Sequence, residues 1–143
     1  MEDVRKIKVK YMVEKDDFMR AGQASSNIKK ILKKLGLDSQ ILRRVAIATY
    51  EAEMNIIIHS EGGFIELEIH PDKIRINVED NGPGIKDIDL AMKAGYSTAP
   101  NKIRELGFGA GMGLPNIKRC CDEFNIKSSL GEYTRLELLI YNK

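Results

Sequence analysis

The chain has 143 residues, 43% of them hydrophobic and 31% charged, with a net charge of +2. A chain of that size buries a core without help from disulfides or metals, and its composition excludes a disordered or fibrous protein; the net charge is too small to imply nucleic acid. No run approaches ~18 apolar residues and Met1–Lys10 holds no signal-like apolar core, so a single domain over 1–143 is expected, cytoplasmic, with no membrane and no direct nucleic-acid contact.

Ile7, Val9, Tyr11 and Val13 alternate with Lys6, Lys8, Lys10 and Met12, the period of a half-buried strand with a lysine-rich wet side. Asp16 and Asp17 stand where a cap is wanted. From there Phe18, Ala21, Ile28, Ile31, Leu32 and Leu35 recur at helical spacing until Gly36, which predicts one helix of roughly 18 residues. Residues 1–44 hold twelve Lys or Arg against six acids. Lys29, Lys30, Lys33 and Lys34 read as the wet side of that helix, a partner surface being the other reading. Asp38 opens a second helix with Ile41, Val45, Ala48, Ala52 and Ile56 on its apolar face, ending near Ser60–Gly63. On it Glu51 and Asn55 are four apart and share a side.

Ile65, Leu67 and Ile69 alternate with Glu66, Glu68 and His70. Pro71, Asp72 and Lys73 then turn the chain into Ile74, Ile76 and Val78, a hairpin. Counting by twos from Val78 reaches Asp80, which turns that carboxylate to the buried side, where it needs a partner. Residues 85–106 form a long excursion with a short helix over Asp87–Ala94 and a turn-prone stretch from Gly95 to Pro100, a length that marks functional or mobile loops. A helix begins near Met112 and Gly113 and carries Leu114, Ile117 and Cys121. Strands follow near Phe124–Leu130 and Thr134–Ile140, with Thr134, Leu136, Leu138 and Ile140 inward. The adjacent Cys120 and Cys121 fall in helix, where successive side chains diverge and do not bridge, which fits a reducing compartment. Helices do not alternate regularly with strands. The expected fold class is therefore an α/β (α+β) two-layer sandwich, a mixed, mostly antiparallel sheet with helices on one face.

Three features carry chemistry. Gly107, Gly109, Gly111 and Gly113 match no Walker-type string, but they feed a helix start, where free N–H groups and a positive dipole end suit a phosphate; a flexible loop is the bland alternative. Asp80 before Gly82, Pro83 and Gly84 can accept a hydrogen bond from an exocyclic amine such as adenine carries, or can simply bond its own turn. Glu51 and Asn55 offer a proton acceptor and an amide oxygen for Mg²⁺, or are polar residues at a helix edge. His59 reads as a helix-end residue.

In this order, Glu51-Ala52-Glu53-Met54-Asn55, Glu79-Asp80-Asn81-Gly82-Pro83-Gly84-Ile85, Gly107-Phe108-Gly109-Ala110-Gly111-Met112-Gly113-Leu114 and the late Thr134 resemble the Bergerat-type ATP-binding fold of gyrase, Hsp90, histidine kinases and MutL, over about residues 35–141. Within that superfamily the chain is most similar to the bacterial anti-sigma-factor and switch-protein serine kinases of partner-switching systems, through its size, Glu51 four before Asn55, Gly95-Tyr96-Ser97-Thr98 and Gly109-Ala110-Gly111 before Leu114-Pro115.

The resemblance implies an ATP- and Mg²⁺-dependent serine/threonine kinase. In it Glu51 is the base for a serine hydroxyl, Asn55 holds Mg²⁺, Asp80 reads the adenine amine and Thr134 supports it. Nucleotide contacts are implied at Gly82, Gly84 and Ile85, at Gly95, Ser97 and Thr98, and from Gly107 through Gly109, Ala110, Gly111, Met112 and Gly113 to Leu114, within a lid of about 85–112. The partner it implies is a small STAS-type antagonist protein as substrate, and beyond that a sigma factor or another regulated enzyme; a homodimer is allowed. Two alternatives stand beside the kinase: a non-catalytic nucleotide-dependent anti-sigma or enzyme-regulating binding protein, and a detached histidine-kinase ATPase domain. The chain departs from the family at Gly131-Glu132-Tyr133-Thr134, where a Gly-x-Gly-Thr string is common, and in the inserted-looking lid segment Ala99–Leu106.

Overall fold

The structure, a computed structural model, describes residues 6–82, 84–85, 88–93 and 113–142. Five strands, β1 (Ile7–Val13), β2 (Gly63–Ile69), β3 (Lys73–Asn81), β4 (Glu123–Ser129) and β5 (Tyr133–Tyr141), form one sheet in the order β1-β2-β3-β5-β4. Helices α1 (Gln23–Lys34), α2 (Ser39–His59) and α4 (Gly113–Cys120) pack on one side of it, and a short α3 (Ile88–Ala91) follows β3. The expected sandwich with a mostly antiparallel sheet holds, and every described pairing is antiparallel.

The alternation seen in the sequence becomes rows across the sheet. Ile7, Ile69, Ile74 and Ile140 make one such row; Val9, Leu67, Ile76, Leu138 and Phe124 the next; Tyr11, Ile65, Val78, Leu136 and Ile126 the third. Against them lie Ile28 and Leu32 of α1, Val45, Ala48, Ala52 and Ile56 of α2 and Ile117 of α4, nearly all fully buried. Each large aliphatic side chain so buried contributes roughly 1.5–3 kcal/mol.

The fourth row breaks the pattern. It runs Val13, Gly63, Asp80, Thr134 and Ser128, replacing aliphatic side chains with no side chain, a carboxylate and two hydroxyls. A polar row at the end of an apolar sheet is either satisfied internally or built to meet a ligand. Gly63 has to be bare: a Cβ there would lie 2.7 Å from the Asp80 Cα and closer still to the Glu79 carbonyl oxygen, both backbone atoms that cannot step aside. Gly63→Ala is therefore expected to lower stability by about 3 kcal/mol or more, seen as a lower urea midpoint with an unchanged slope. An unchanged midpoint would show that β2 and β3 are not held this close.

One expected element is divided. Instead of a single helix from Asp17 to Leu35, a 3₁₀ turn at Phe18–Arg20 is followed by α1 from Gln23. Gly22 sits between them at φ +87°, and Asp16 at φ +57°, so the backbone leaves the right-handed helical region twice before α1 starts. Gly36 does end α1 as expected, in a left-handed conformation with the Leu37 N–H donating back to the Leu32 carbonyl at 3.3 Å. The short helix expected over Asp87–Ala94 is described only as α3.

The lysines of the first third divide into two groups. On the outer sheet face Lys6 pairs with Glu68, Lys8 with Glu66, and Lys10 lies 4.1 Å from the centroid of the Phe64 ring. Lys29, Lys30, Lys33 and Lys34 on α1 are exposed, with no ion pair among the described residues. No helix of the described residues is long and apolar enough to cross a membrane.

Candidate functional site

Helix α2 connects the polar row to Glu51 and Asn55. The helix ends at His59, and the residues after it lock onto the end of β3: the Glu61 N–H donates to the Asn81 carbonyl and the Asn81 N–H to the Gly62 carbonyl, both at 3.0 Å. Asp80 thus lies beside the C-terminal end of α2, with Asn55 and Glu51 on successive turns behind it. Ser60 contributes a local cap, its hydroxyl donating to Ile56 and accepting the Gly62 N–H.

Helix α4 completes the site from the other side. Arg44 donates from Nε to the Cys120 carbonyl at 2.8 Å and pairs through its guanidinium with Asp122 at 3.2 Å, which fixes the C-terminal end of α4 to the start of α2. The two helices therefore run antiparallel, and the first residue of α4 arrives at the far half of α2. A Cβ on Gly113 would lie 3.0 Å from Asn55 Oδ1, 3.3 Å from its Nδ2 and 3.4 Å from Glu51 Oε2. The positive dipole end of α4 thus abuts an amide and a carboxylate.

Burial pushes the Asp80 carboxyl up to about 6, with the Thr134 backbone N–H acting against that and the neighbouring Glu79 charge adding to it. At neutral pH Asp80 is a carboxylate short of donors, which is what a ligand amine would supply. Beside it Thr134 and Ser128 hold their hydroxyls 3.0 Å apart, and the Ser128 oxygen also accepts the Ile85 N–H at 2.7 Å. Ser128 has no signature in the sequence. It is a polar residue near a strand end, and only the β4–β5 register reveals its neighbours.

The glycines after Asp80 meet a neighbouring turn. Gly82 donates its N–H to the Glu132 carbonyl at 2.6 Å, and a Cβ on Gly84 would lie 2.9 Å from the Leu130 Cα, so both lean on the β4–β5 turn. Leu114 is half-buried and packs on the core. Gly95, Ser97, Thr98, Gly107, Gly109, Ala110, Gly111 and Met112 lie outside the described residues, as does most of the expected lid.

Two other ionisable groups near the helices have internal duties. Glu53, 3% exposed, accepts the Ala24 and Ser25 N–H groups at 3.2 Å each and so caps α1 from α2; burial pushes its carboxyl up while those N–H groups hold it down. Burial lowers the His59 imidazole below its ordinary value and keeps it neutral at pH 7. A cavity of about 290 Å³ on the Glu53 side of α2, bounded by Lys10, Asp17, Arg20 and Gln23, has its buried carboxylate already spent on α1.

Residues 40–141 match the family described as histidine kinase-, DNA gyrase B-, and HSP90-like ATPase. The chain belongs to this ATPase family. Among its relatives is the serine/threonine-protein kinase RsbT of Bacillus subtilis (strain 168), 34% identical over 127 residues, which span 86% of this chain and 87% of that one. The anti-sigma F factor of Clostridium kluyveri is 34% identical over 100 residues, 66% of this chain and 67% of that one. The SiaB–SiaC complex from Pseudomonas aeruginosa shares the fold, with a TM-score of 0.64, 13% identity, and 95% of this chain and 90% of that chain covered.

For an ATPase of this family the tight approach at Gly113 has a testable consequence. Gly113→Ala would push the Asn55 amide outward by a few tenths of an ångström and set a methyl in contact with the Glu51 carboxylate. On the order of a tenfold loss of nucleotide-dependent activity is expected with little change in melting temperature, because displacing a positioned group costs rate rather than fold. Unaltered activity would show that Gly113 does not set those two side chains.

Proposed function

We propose that this chain is an ATP-dependent protein serine/threonine kinase that phosphorylates a small STAS-type protein in a partner-switching pathway. One observation carries the reading: the start of α4 meets Asn55 and Glu51 together, so a phosphate held at that helix end lies beside an amide oxygen and a proton acceptor. In this reading Asp80 accepts the adenine amine, Thr134 supports it, and Gly82, Gly84, Ile85 and Leu114 border the nucleotide. The lid residues Gly95, Ser97, Thr98, Gly107, Gly109, Ala110, Gly111 and Met112 close over the phosphates.

Asn55 suits a magnesium ion. Its amide supplies one hard oxygen, and no group of three His, Cys, Asp or Glu among the described residues forms a protein cage, so phosphates and water would complete the shell, the usual arrangement for this ion. When bound with ATP, Mg²⁺ would offset charge on the β- and γ-phosphates. Glu51 would take the proton from the partner's hydroxyl as that oxygen bonds to the γ-phosphorus. The bond from the γ-phosphorus to the bridging oxygen breaks, and ADP leaves with that oxygen.

A protein substrate fits the surface around Glu51. Ile47 and Tyr50, 37% and 38% exposed, flank it on the outer side of α2, and the exposed lysines of α1 lie on the same helical layer. A sigma factor or another regulated enzyme would be the second protein of the switch, a homodimer the working form, and the cytoplasm the setting, in keeping with the unbridged Cys120 and Cys121. The test is incubation with γ-labelled ATP, Mg²⁺ and a co-encoded STAS-domain protein. Label is expected on a serine or threonine of that protein. ATP binding with no transfer would replace the kinase with a nucleotide-dependent binding protein, and label on a histidine of this chain would point to a histidine-kinase fragment.

A further inference from the structure

We propose that Ser128 fixes the hydrogen-bonding polarity of Thr134 and thereby makes the pocket select adenine over guanine; the proposal rests on the reading of the Asp80 row as the base-binding floor. Ser128 and Thr134 are paired across β4 and β5, and Thr134 is paired with Asp80 across β5 and β3, so the three stand in line on the helix side of the sheet. None is fully buried, which leaves the line open to a ligand.

The argument turns on one proton. A serine hydroxyl has a single hydrogen and two lone pairs. The Ser128 oxygen has three neighbours at bonding distance: the Ile85 N–H at 2.7 Å, the Tyr133 carbonyl oxygen at 3.0 Å and the Thr134 hydroxyl at 3.0 Å. The Ile85 N–H can only donate and the Tyr133 carbonyl can only accept. Ser128 therefore spends its hydrogen on Tyr133, and the bond between the two hydroxyls takes its hydrogen from Thr134. Thr134 is left with lone pairs alone to offer the pocket, next to a carboxylate that also only accepts.

Two adjacent acceptors favour a base edge that donates. In the orientation that puts the adenine amino group on Asp80, guanine places its carbonyl oxygen at that point, with lone pairs facing both Thr134 and Asp80. Without the Ser128 hydroxyl, the Thr134 hydrogen is released and can turn toward the guanine oxygen. The Ile85 N–H, which ties the chain leaving β3 to the same oxygen, loses its acceptor as well.

Equilibrium titrations of the full chain with ATP and with GTP test this in wild type, Ser128→Ala, Ser128→Cys and Ser128→Thr. Wild type should prefer ATP. Ser128→Ala should narrow the ATP-to-GTP preference by at least about fivefold, the size of one hydrogen bond to a ligand. Ser128→Cys, a weaker donor of similar shape, should narrow it less, and Ser128→Thr, which keeps the hydroxyl, should preserve it. A purely structural serine would weaken both nucleotides together. An unchanged preference in natively melting Ser128→Ala or Ser128→Cys protein overturns the proposal, even where Asp80→Asn weakens ATP binding and so upholds the base-binding floor. Wild-type protein that binds ATP no more tightly than GTP overturns both.

Discussion

Glu51→Gln protein is expected to bind ATP as wild type does and to transfer phosphate to its protein substrate roughly 10²–10⁴-fold more slowly, the range for loss of a general base. Glutamine keeps the size and one oxygen of glutamate but cannot take a proton, so it separates chemistry from packing. The separation is clean because Glu51 is only half-buried and carries no part of the core, unlike Glu53 two residues on, whose carboxylate holds the N–H groups of Ala24 and Ser25. Phosphotransfer assays at saturating ATP, with nucleotide affinity measured in parallel, distinguish the outcomes. Equal loss of binding and transfer would make Glu51 a nucleotide-positioning group, and full transfer would remove it from the reaction.

Asp80→Asn should move binding and stability in opposite directions. The carboxylate is expected to hold the adenine amine by a charge-assisted hydrogen bond, so its loss should weaken ATP binding on the order of 10- to 100-fold. The free protein should become more stable. Folding raises the Asp80 carboxyl from 3.8 to about 6, so the folded state holds that proton more tightly than the unfolded state does. Stability from this group is gained as pH falls from about 6 toward 3.8, and above 6 the buried charge is a standing penalty. Asparagine removes that penalty, so its melting temperature should exceed wild type at pH 8 and the difference should shrink toward pH 4. Thermal melts across that range, beside ATP titrations at pH 8, measure both halves. A variant that lost stability along with ATP would make Asp80 a structural residue.

Period-two alternation was enough to place β1, both hairpins and the inward turn of Asp80, because a strand side chain has only two sides to choose from. Helical spacing was enough for α2, and for Glu51 and Asn55 on one side of it. What alternation cannot show is which strand lies beside which. The row from Gly63 through Asp80 and Thr134 to Ser128 exists only in the β1-β2-β3-β5-β4 order, so Gly63 and Ser128 were invisible as site residues although each is plain in the sequence. Gly22 is hidden in the sequence for another reason. Apolar residues at helical spacing continue on both sides of it, and the period does not register a single left-handed residue. The same holds for Glu53, whose helix-capping role depends on where α1 starts relative to α2. Gly84 is bare because the β4–β5 turn approaches it, a contact between distant segments that no local pattern shows.

The most direct measurement is a crystal structure of the chain with Mg²⁺ and a non-hydrolysable ATP analogue. The adenine amine should lie within about 3.2 Å of the Asp80 carboxylate, the Asn55 amide oxygen on the metal, and the γ-phosphate at the start of α4 beside Glu51. A base seated away from the Asp80 row, for example in the cavity between β1 and α1 beside Glu53, would contradict the account.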